Sequence, residues 1–139
     1  MEEAVKEIKL EEIFENDELK THNDILHTHA YTIKELKENH AKIEISAQRC
    51  QRVKESGYIY NGDLFSAASF AATAAVNDSS FVLIGSNIDF LNPLKEEGEI
   101  ILYADVDING SIKKIVQVVG KLNDIEFLRG DFSLVKIDS

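Results

Sequence analysis

The longest uninterrupted apolar pattern in the chain covers residues 64–76, where every position is apolar or small and uncharged. This run contains six alanines, and alanine is the best helix former. A helix that is apolar on all sides belongs in a protein interior. The pattern of residues 57–77 therefore predicts a glycine-containing turn with polar residues, followed by a buried helix. Asp63 precedes the run, where a carboxylate can cap free N–H groups, and Asn77 and Asp78 are predicted to end the helix.

Alternation of apolar and polar positions predicts strands on both sides of this helix. From residue 100 to residue 108, Ile, Leu, Ala, Val and Ile occupy every even position, which is typical of a half-buried strand. Asn109-Gly110 follows and favours a tight hairpin turn in which both central residues take positive φ. We expect a further turn at residues 123–124. The predicted strands are 29–36, 41–47, 81–90, 100–108, 112–122 and 127–137.

The N-terminal region is charged, with apolar residues at an imperfect helical spacing up to about residue 19. It predicts a peripheral helix, and residues 22–25 predict a loop. The expected order is helix, strand, strand, buried helix and four strands, which is an α+β fold. We divide the chain into an N-terminal helical extension, residues 1–28, and a main domain, residues 29–139.

Composition narrows the function. The chain has 139 residues, with 25 acidic against 15 basic side chains and a net charge of −10. This balance argues against a general nucleic-acid binder and against adhesion to anionic membranes, because both need clustered Lys and Arg. The single cysteine, Cys50, excludes an internal disulfide framework and fits a reducing compartment. No apolar run approaches the roughly 20 residues of a membrane span, and the N-terminus is acidic. We therefore expect a cytoplasmic protein.

Two stretches carry a family resemblance, YNGDLFSAAS at 60–69 and NIDFLNP at 87–93. Together with the element order over residues 30–137, they resemble the hotdog fold of acyl-CoA thioesterases, an antiparallel sheet wrapped around one long central helix. The first stretch aligns without a gap with the His-Gly-Gly-x-x-x-x-x-x-Asp/Glu pattern of phenylacetate-type and hydroxybenzoyl-CoA-type thioesterases. Tyr60 stands at the His position, Asn61 and Gly62 at the two glycines, and Ser69 at the carboxylate.

The resemblance implies a site at the start of the central helix. In the family, backbone N–H groups there polarise the thioester carbonyl, and a helix carboxylate activates water or attacks directly. Here Gly62 and Asp63 are expected to supply the N–H groups, while Ser69 replaces the acid. The candidate catalytic residues are Tyr60, Asn61 and Asp63. The candidate substrate-binding residues are Gly62, Leu64, Phe65, Ser66, Ser69 and Cys50. No metal or other cofactor is implied.

Several of these residues have a second interpretation. Asp63 fits a helix cap as well as a base. Ser66 and Ser69 share a helix face and either line a pocket or bond backbone carbonyls. Cys50 fits a small buried residue, although neighbouring cations could lower its pKa and make it reactive. The four histidines, at 22, 27, 29 and 40, favour surface or loop roles over a metal site, since no matching Cys or carboxylate spacing accompanies them.

Three functions remain open. The first is a thioesterase acting on acyl-CoA or an acyl-carrier-protein thioester. The second is a non-catalytic acyl-thioester binding module, as in the malonyl-CoA-sensing repressors, which the helix also resembles. A hotdog dehydratase is the weaker third, because no histidine follows His40. A basic patch suited to CoA phosphates is formed by Arg49, Arg52 and Lys54. A second pair of cations, Lys113 and Lys114, is either another such patch or a solvated strand edge. The fold implies a homodimer or a dimer of dimers, since its edge strands must pair.

Overall fold

The computed structural model describes residues 16–137. Their six strands form one antiparallel sheet in the order β1-β2-β4-β5-β6-β3. The elements are α1 Asn23–Thr28, β1 Thr32–Lys37, β2 His40–Ser46, α2 Asn61–Val76, β3 Phe81–Phe90, β4 Glu99–Asn109, β5 Lys113–Leu122 and β6 Ile125–Lys136. A single 3-10 turn, Ala47–Arg49, follows β2. The predicted α+β architecture, with one long helix and six strands, is confirmed.

Helix α2 forms the centre of the core. Its alanines at 67, 68, 71 and 72 are fully buried, and the helix contacts mainly β2, β4 and β5. Small side chains allow the curved sheet to approach the helix backbone, while Phe65 packs against Phe132 of β6 with ring centroids 5.7 Å apart. The helix ends as predicted at Asn77, which adopts a left-handed conformation with φ 50°.

Some predicted boundaries were wrong. The predicted loop at 22–25 contains the start of α1, and β1 begins three residues later than expected because residues 29–31 form the turn that ends this helix. The hairpin at Asn109-Gly110 exists, but neither residue has positive φ, and its connection spans 110–112. The two-residue turn with positive φ is Asn123-Asp124.

The predicted N-terminal helix lies outside the described residues except for 16–19, which are irregular. The division at residue 28 therefore stays a prediction. Leu19 nevertheless belongs to the core, since its side chain is only 8% exposed. None of the helices within 16–137 has the length and apolar composition needed to cross a lipid bilayer.

One strand-edge cluster joins β1, β2 and β4. His40 Nδ1 lies 2.7 Å from Asp105 Oδ1, and His40 Nε2 lies 2.8 Å from Glu35 Oε2. Partial burial alone would lower the pKa of His40, but the hydrogen bonds to the two carboxylates and their charges raise it. The hydrogen bond from His40 lowers the pKa of Glu35.

This cluster should make stability depend on pH. The pKa of His40 is higher in the folded protein, so its contribution is complete below the ordinary imidazole pKa of 6.5 and fades as pH rises through the raised value. The contribution of Glu35 is complete above its ordinary pKa of 4.5 and is lost as pH falls. Between pH 4.5 and pH 6.5, we expect His40→Gln to lower the free energy of unfolding by up to about 1 kcal/mol, which is the usual contribution of an exposed ion pair. Urea unfolding at several pH values measures this, and a difference that stays constant above pH 6.5 would contradict it.

Candidate functional site

The start of α2 presents free backbone donors. The first N–H groups of an α-helix have no partner within the helix, and Asp63 N–H donates instead to Tyr60 O at 3.1 Å. The N–H groups of Asn61 and Gly62 donate to no acceptor within residues 16–137. The available donors are therefore those of Asn61 and Gly62, one position earlier than the pair expected from the sequence.

The Tyr60 ring lies against this helix start. A Cβ atom added to Gly62 would lie 2.3 Å from Tyr60 Cε2, so only glycine allows the ring to pack this closely. The Tyr60 side chain is 52% exposed. It therefore covers one side of the helix start at Gly62.

Asp63 holds the preceding loop in place. Its Oδ2 accepts a hydrogen bond from Gln51 N–H at 2.6 Å, and Tyr60 N–H donates to Gln51 O at 2.9 Å. The prediction that Asp63 caps the helix N–H groups was wrong, because its carboxylate bonds the loop. Its negative charge in the first helical turn still complements the helix dipole.

Two cavities follow one face of α2. The first, of about 320 Å³, is lined at the helix start by Arg49, Gln51, Asp63 and Ser66, together with Ile45 and residues 28–31. The second, of about 290 Å³, is lined by His22, Ile25, His29, Tyr31, Ser66, Ser69, Phe70, Thr73 and Leu83. His29, Tyr31 and Ser66 line both, so we treat the two cavities as one helix groove. From Asp63 to Thr73 it is about 15 Å long, at 1.5 Å per helical residue.

The wall opposite α2 is the end of α1. Ala30 takes a left-handed conformation with φ 55°, its N–H donates to His27 O, and Tyr31 N–H donates to Leu26 O at 3.1 Å. This is a Schellman motif, which usually has glycine at the left-handed position. It directs the chain so that the His29 ring stacks on Tyr31 at 5.4 Å.

Tyr31 connects this wall to the core. Its ring lies 5.0 Å from that of Phe70. Burial, followed by the charges of Asp63 and Cys50, raises the pKa of Tyr31 to about 12. The phenol is therefore protonated at neutral pH. Residues 29–31 were predicted as a strand, so sequence reasoning missed both His29 and Tyr31 as groove residues.

Two of the helix hydroxyls that line the groove, those of Ser69 and Thr73, already donate to backbone carbonyls. Ser69 Oγ donates to Ser66 O at 2.9 Å, and Thr73 Oγ1 donates to Phe70 O at 2.8 Å. Ser69 therefore fits both interpretations, because it lines the groove and also donates to a backbone carbonyl. Its oxygen is left as an acceptor.

The remaining predicted binding residues lie elsewhere. Leu64 is 1% exposed and Cys50 is 8% exposed, so both belong to the core, and Phe65 is half-buried against Phe132. Burial and the charge of Asp63 raise the pKa of Cys50 to about 11, against the opposing effect of Arg52. A reactive Cys50 thiolate is therefore not formed at neutral pH.

The basic residues separate into different places. Arg52 Nη1 donates to Gly57 O at 3.1 Å and to Lys95 O at 2.7 Å, and its Nη2 donates to Glu97 at 3.0 Å. The Arg52 guanidinium is thus occupied in joining two loops. Lys114 lines a cavity with Asn77 at the opposite end of α2. Of the predicted phosphate-binding cations, Arg49 lines the helix groove. In the described part of the chain, no cluster of three or more His, Cys, Asp or Glu side chains is placed to hold a metal.

Part of the chain is similar to a curated protein sequence. Over 98 residues, the chain is 34% identical to the methylthioribose-1-phosphate isomerase of Aquifex aeolicus (strain VF5). The match covers 70% of this chain and 22% of that protein, so the chain spans about a fifth of the relative's length. No protein-family model matches the chain.

Solved structures match over nearly the whole domain. An uncharacterized protein from Pyrococcus horikoshii is 25% identical, with a TM-score of 0.81 over 89% of this chain and 95% of that one. A sigma28-regulated virulence protein from Campylobacter jejuni is 30% identical, with a TM-score of 0.74 over 88% and 87%. A hypothetical thioesterase from Streptococcus pneumoniae TIGR4, solved with coenzyme A, is 15% identical, with a TM-score of 0.69 over 84% and 97%.

Proposed function

We propose that this chain, which has the hotdog fold, binds an acyl thioester of CoA or of an acyl carrier protein at the start of α2 and hydrolyses it there. The hotdog fold expected from the sequence is confirmed. The substrate and the hydrolysis are our proposal.

One observation carries this proposal, namely the N–H groups of Asn61 and Gly62, which donate to no acceptor within residues 16–137. They belong to the two residues that precede Asp63, and Asp63 lines the helix groove. When water attacks a thioester, negative charge develops on the carbonyl oxygen. Fixed backbone donors and the positive end of a helix dipole stabilise that charge without reorganising. The acyl group would then lie along the groove, between α2 and residues 29–31.

The carrier end of the substrate would lie at the Arg49 side. Arg49 lines the groove beside the helix start, in a protein whose net charge is −10. A guanidinium there can pair with a CoA phosphate. The hypothetical thioesterase from Streptococcus pneumoniae, which is similar in structure, was solved with coenzyme A, and this supports a CoA-type carrier.

We also propose a homodimer or a dimer of dimers. β3 is a sheet edge of ten residues that pairs only with β6 in the described part of the chain. Ile84 on this edge is 58% exposed. A long edge with exposed apolar side chains is a surface that proteins normally cover or pair.

We also propose a cytoplasmic location, because the N-terminus of the sequence is acidic and the chain has a single cysteine.

A non-catalytic acyl-thioester binding module is the second candidate. It is favoured by Ser69, which stands where the related enzymes carry the acid and whose hydroxyl already donates to Ser66 O. In this case the helix start would hold the carbonyl, and no group would activate water. The two candidates make opposite predictions for turnover.

We expect the protein to release free thiol from a panel of acetyl-, octanoyl- and phenylacetyl-CoA, with saturation in at least one case. Thiol release is followed with a chromogenic disulfide reagent. In parallel, calorimetry measures binding of the matching thioether analogues, which cannot be hydrolysed. Analogue binding without thiol release would assign the binding module, whereas the absence of both would overturn the proposed function.

A further inference from the structure

We propose that His29 is the general base that activates water for thioester hydrolysis, an inference that rests on the proposed function. The sequence pattern offers no acid at Ser69, and the thioesterase interpretation needs a group that accepts a proton from water. His29 lies opposite the helix, on the wall formed by the end of α1. It is one of three residues that line both cavities of the helix groove.

The packing of Tyr31 and the conformation of Ala30 position His29 at the groove. Its ring stacks on Tyr31 at an interplanar angle of 27°, and Tyr31 is itself packed on Phe70 of α2. Next to it, Ala30 adopts the left-handed conformation, which is unfavourable for a residue with a Cβ. An unfavourable backbone conformation is often retained where it positions a functional group. Here it places His29 and Tyr31 together at the groove.

The hydrogen bonding of the ring suits a base. His29 Nδ1 lies 3.3 Å from the carbonyl oxygen of Ile25. A carbonyl only accepts hydrogen bonds, so this contact requires the proton on Nδ1 and leaves Nε2 with a free lone pair. The neutral ring is thus held in one tautomer by α1, as a general base requires.

The other titratable groups of the groove are less suited. Asp63 Oδ2 is occupied by Gln51 N–H, and the Tyr31 phenol stays protonated at neutral pH. Arg49 is always charged and has no lone pair to offer. Of the two cavities that form the groove, His22 lines only the second, away from the helix start.

The reaction balances with water as the only co-reactant. Water gives one proton to His29 Nε2 as its oxygen bonds to the thioester carbonyl carbon, and the oxyanion forms at the N–H groups of Asn61 and Gly62. The carbon–sulfur bond then breaks with its electron pair on sulfur. Sulfur takes the proton from His29, which leaves a carboxylic acid, a thiol and the neutral imidazole.

The test compares His29→Gln with His27→Gln, a matched exposed histidine on α1 that does not line the groove. We expect His29→Gln to lower kcat for the best acyl-CoA by about 10² to 10⁴-fold, the usual contribution of a general base. KM and calorimetric binding of the thioether analogue should change little. His27→Gln should retain wild-type turnover. The acid limb of the kcat/KM profile should be present in the wild type and absent in His29→Gln.

Chemical rescue separates a base from a structural residue. Because His29 is exposed, added imidazole should restore part of the turnover of His29→Ala, which a merely structural role would not allow. Asp63→Asn, which keeps an acceptor for Gln51 N–H, is the competing variant. A larger kcat loss in Asp63→Asn than in His29→Gln would assign the base to Asp63 and overturn the proposal.

The remaining outcomes distinguish this proposal from the one on which it rests. Wild-type turnover that is preserved in His29→Gln overturns the role of His29 and leaves hydrolysis standing. Analogue binding without wild-type turnover overturns His29 as a base and supports the binding module. If the wild-type protein shows no analogue binding and no turnover, the proposed function itself is overturned.

Discussion

Replacing Asn61 with proline should lower thiol release by about 10² to 10³-fold in kcat, the usual loss when one oxyanion donor is removed. Asn61 is the first residue of α2, and Tyr60 before it is extended, with φ −67° and ψ 121°. Proline is tolerated at the first helical position and needs an extended residue before it. The variant should therefore delete the Asn61 N–H and leave the fold intact, which far-UV circular dichroism and the melting temperature check.

Asn61→Ala is the matched control, because it removes the side chain and keeps the backbone donor. Turnover close to wild type in Asn61→Ala, together with a large loss in Asn61→Pro, would assign the role to the N–H group. Equal losses in the two variants would instead assign it to the side-chain amide. Full turnover in Asn61→Pro would show that the carbonyl does not bind at this donor.

Replacing Gly130 with alanine should destabilise the protein by about 3 kcal/mol, the upper end of overpacking effects. A Cβ at Gly130 would lie 2.3 Å from the carbonyl oxygen of Asn87 and 2.5 Å from Ile88 Cα. Both are backbone atoms of β3, which pairs with β6 through Ile88 opposite Gly130. The clash cannot be relieved by a side-chain rotation, so the edge strand must shift. Urea unfolding measures the loss.

Gly85→Ala on β3 is the control, since a Cβ there meets nothing within 4 Å. We expect its free energy of unfolding to stay within about 0.5 kcal/mol of wild type, as for most surface substitutions. If Gly130→Ala were as stable as Gly85→Ala, the close approach of β3 to β6 would not exist in solution.

The sequence specified the core elements because their patterns are local. Residues 64–76 have no polar side that a surface helix would need, and the alternation at residues 100–104 places Ile100, Leu102 and Ala104 on the buried face. Each pattern is decided by its own residues, so no knowledge of distant contacts is required. The turn at Asn109-Gly110 was mispredicted because β4 and β5 extend past a bulge between Val106 and Ile108, which changes the register that the turn must close.

The site was less predictable because it depends on contacts between distant segments. Asp63 looked like a helix cap, but its partner is Gln51 across the preceding loop. Arg52 resembled part of a phosphate-binding patch, but its partners at Lys95 and Glu97 are more than forty positions away in sequence. His29 lies at the groove only because the chain turns at Ala30, where α1 ends. A left-handed alanine has no sequence signature, because glycine is the usual residue there.

The two walls of the helix groove differ in stiffness. Arg52 joins the loop before α2 to the 95–97 segment through two hydrogen bonds, and α2 itself is embedded in the core. In contrast, α1 buries none of its residues, and segments with few buried contacts open at the lowest free energy. A bulky ligand would therefore enter by displacing α1, and the same movement would carry His29 away from the helix start and return it when the ligand is seated.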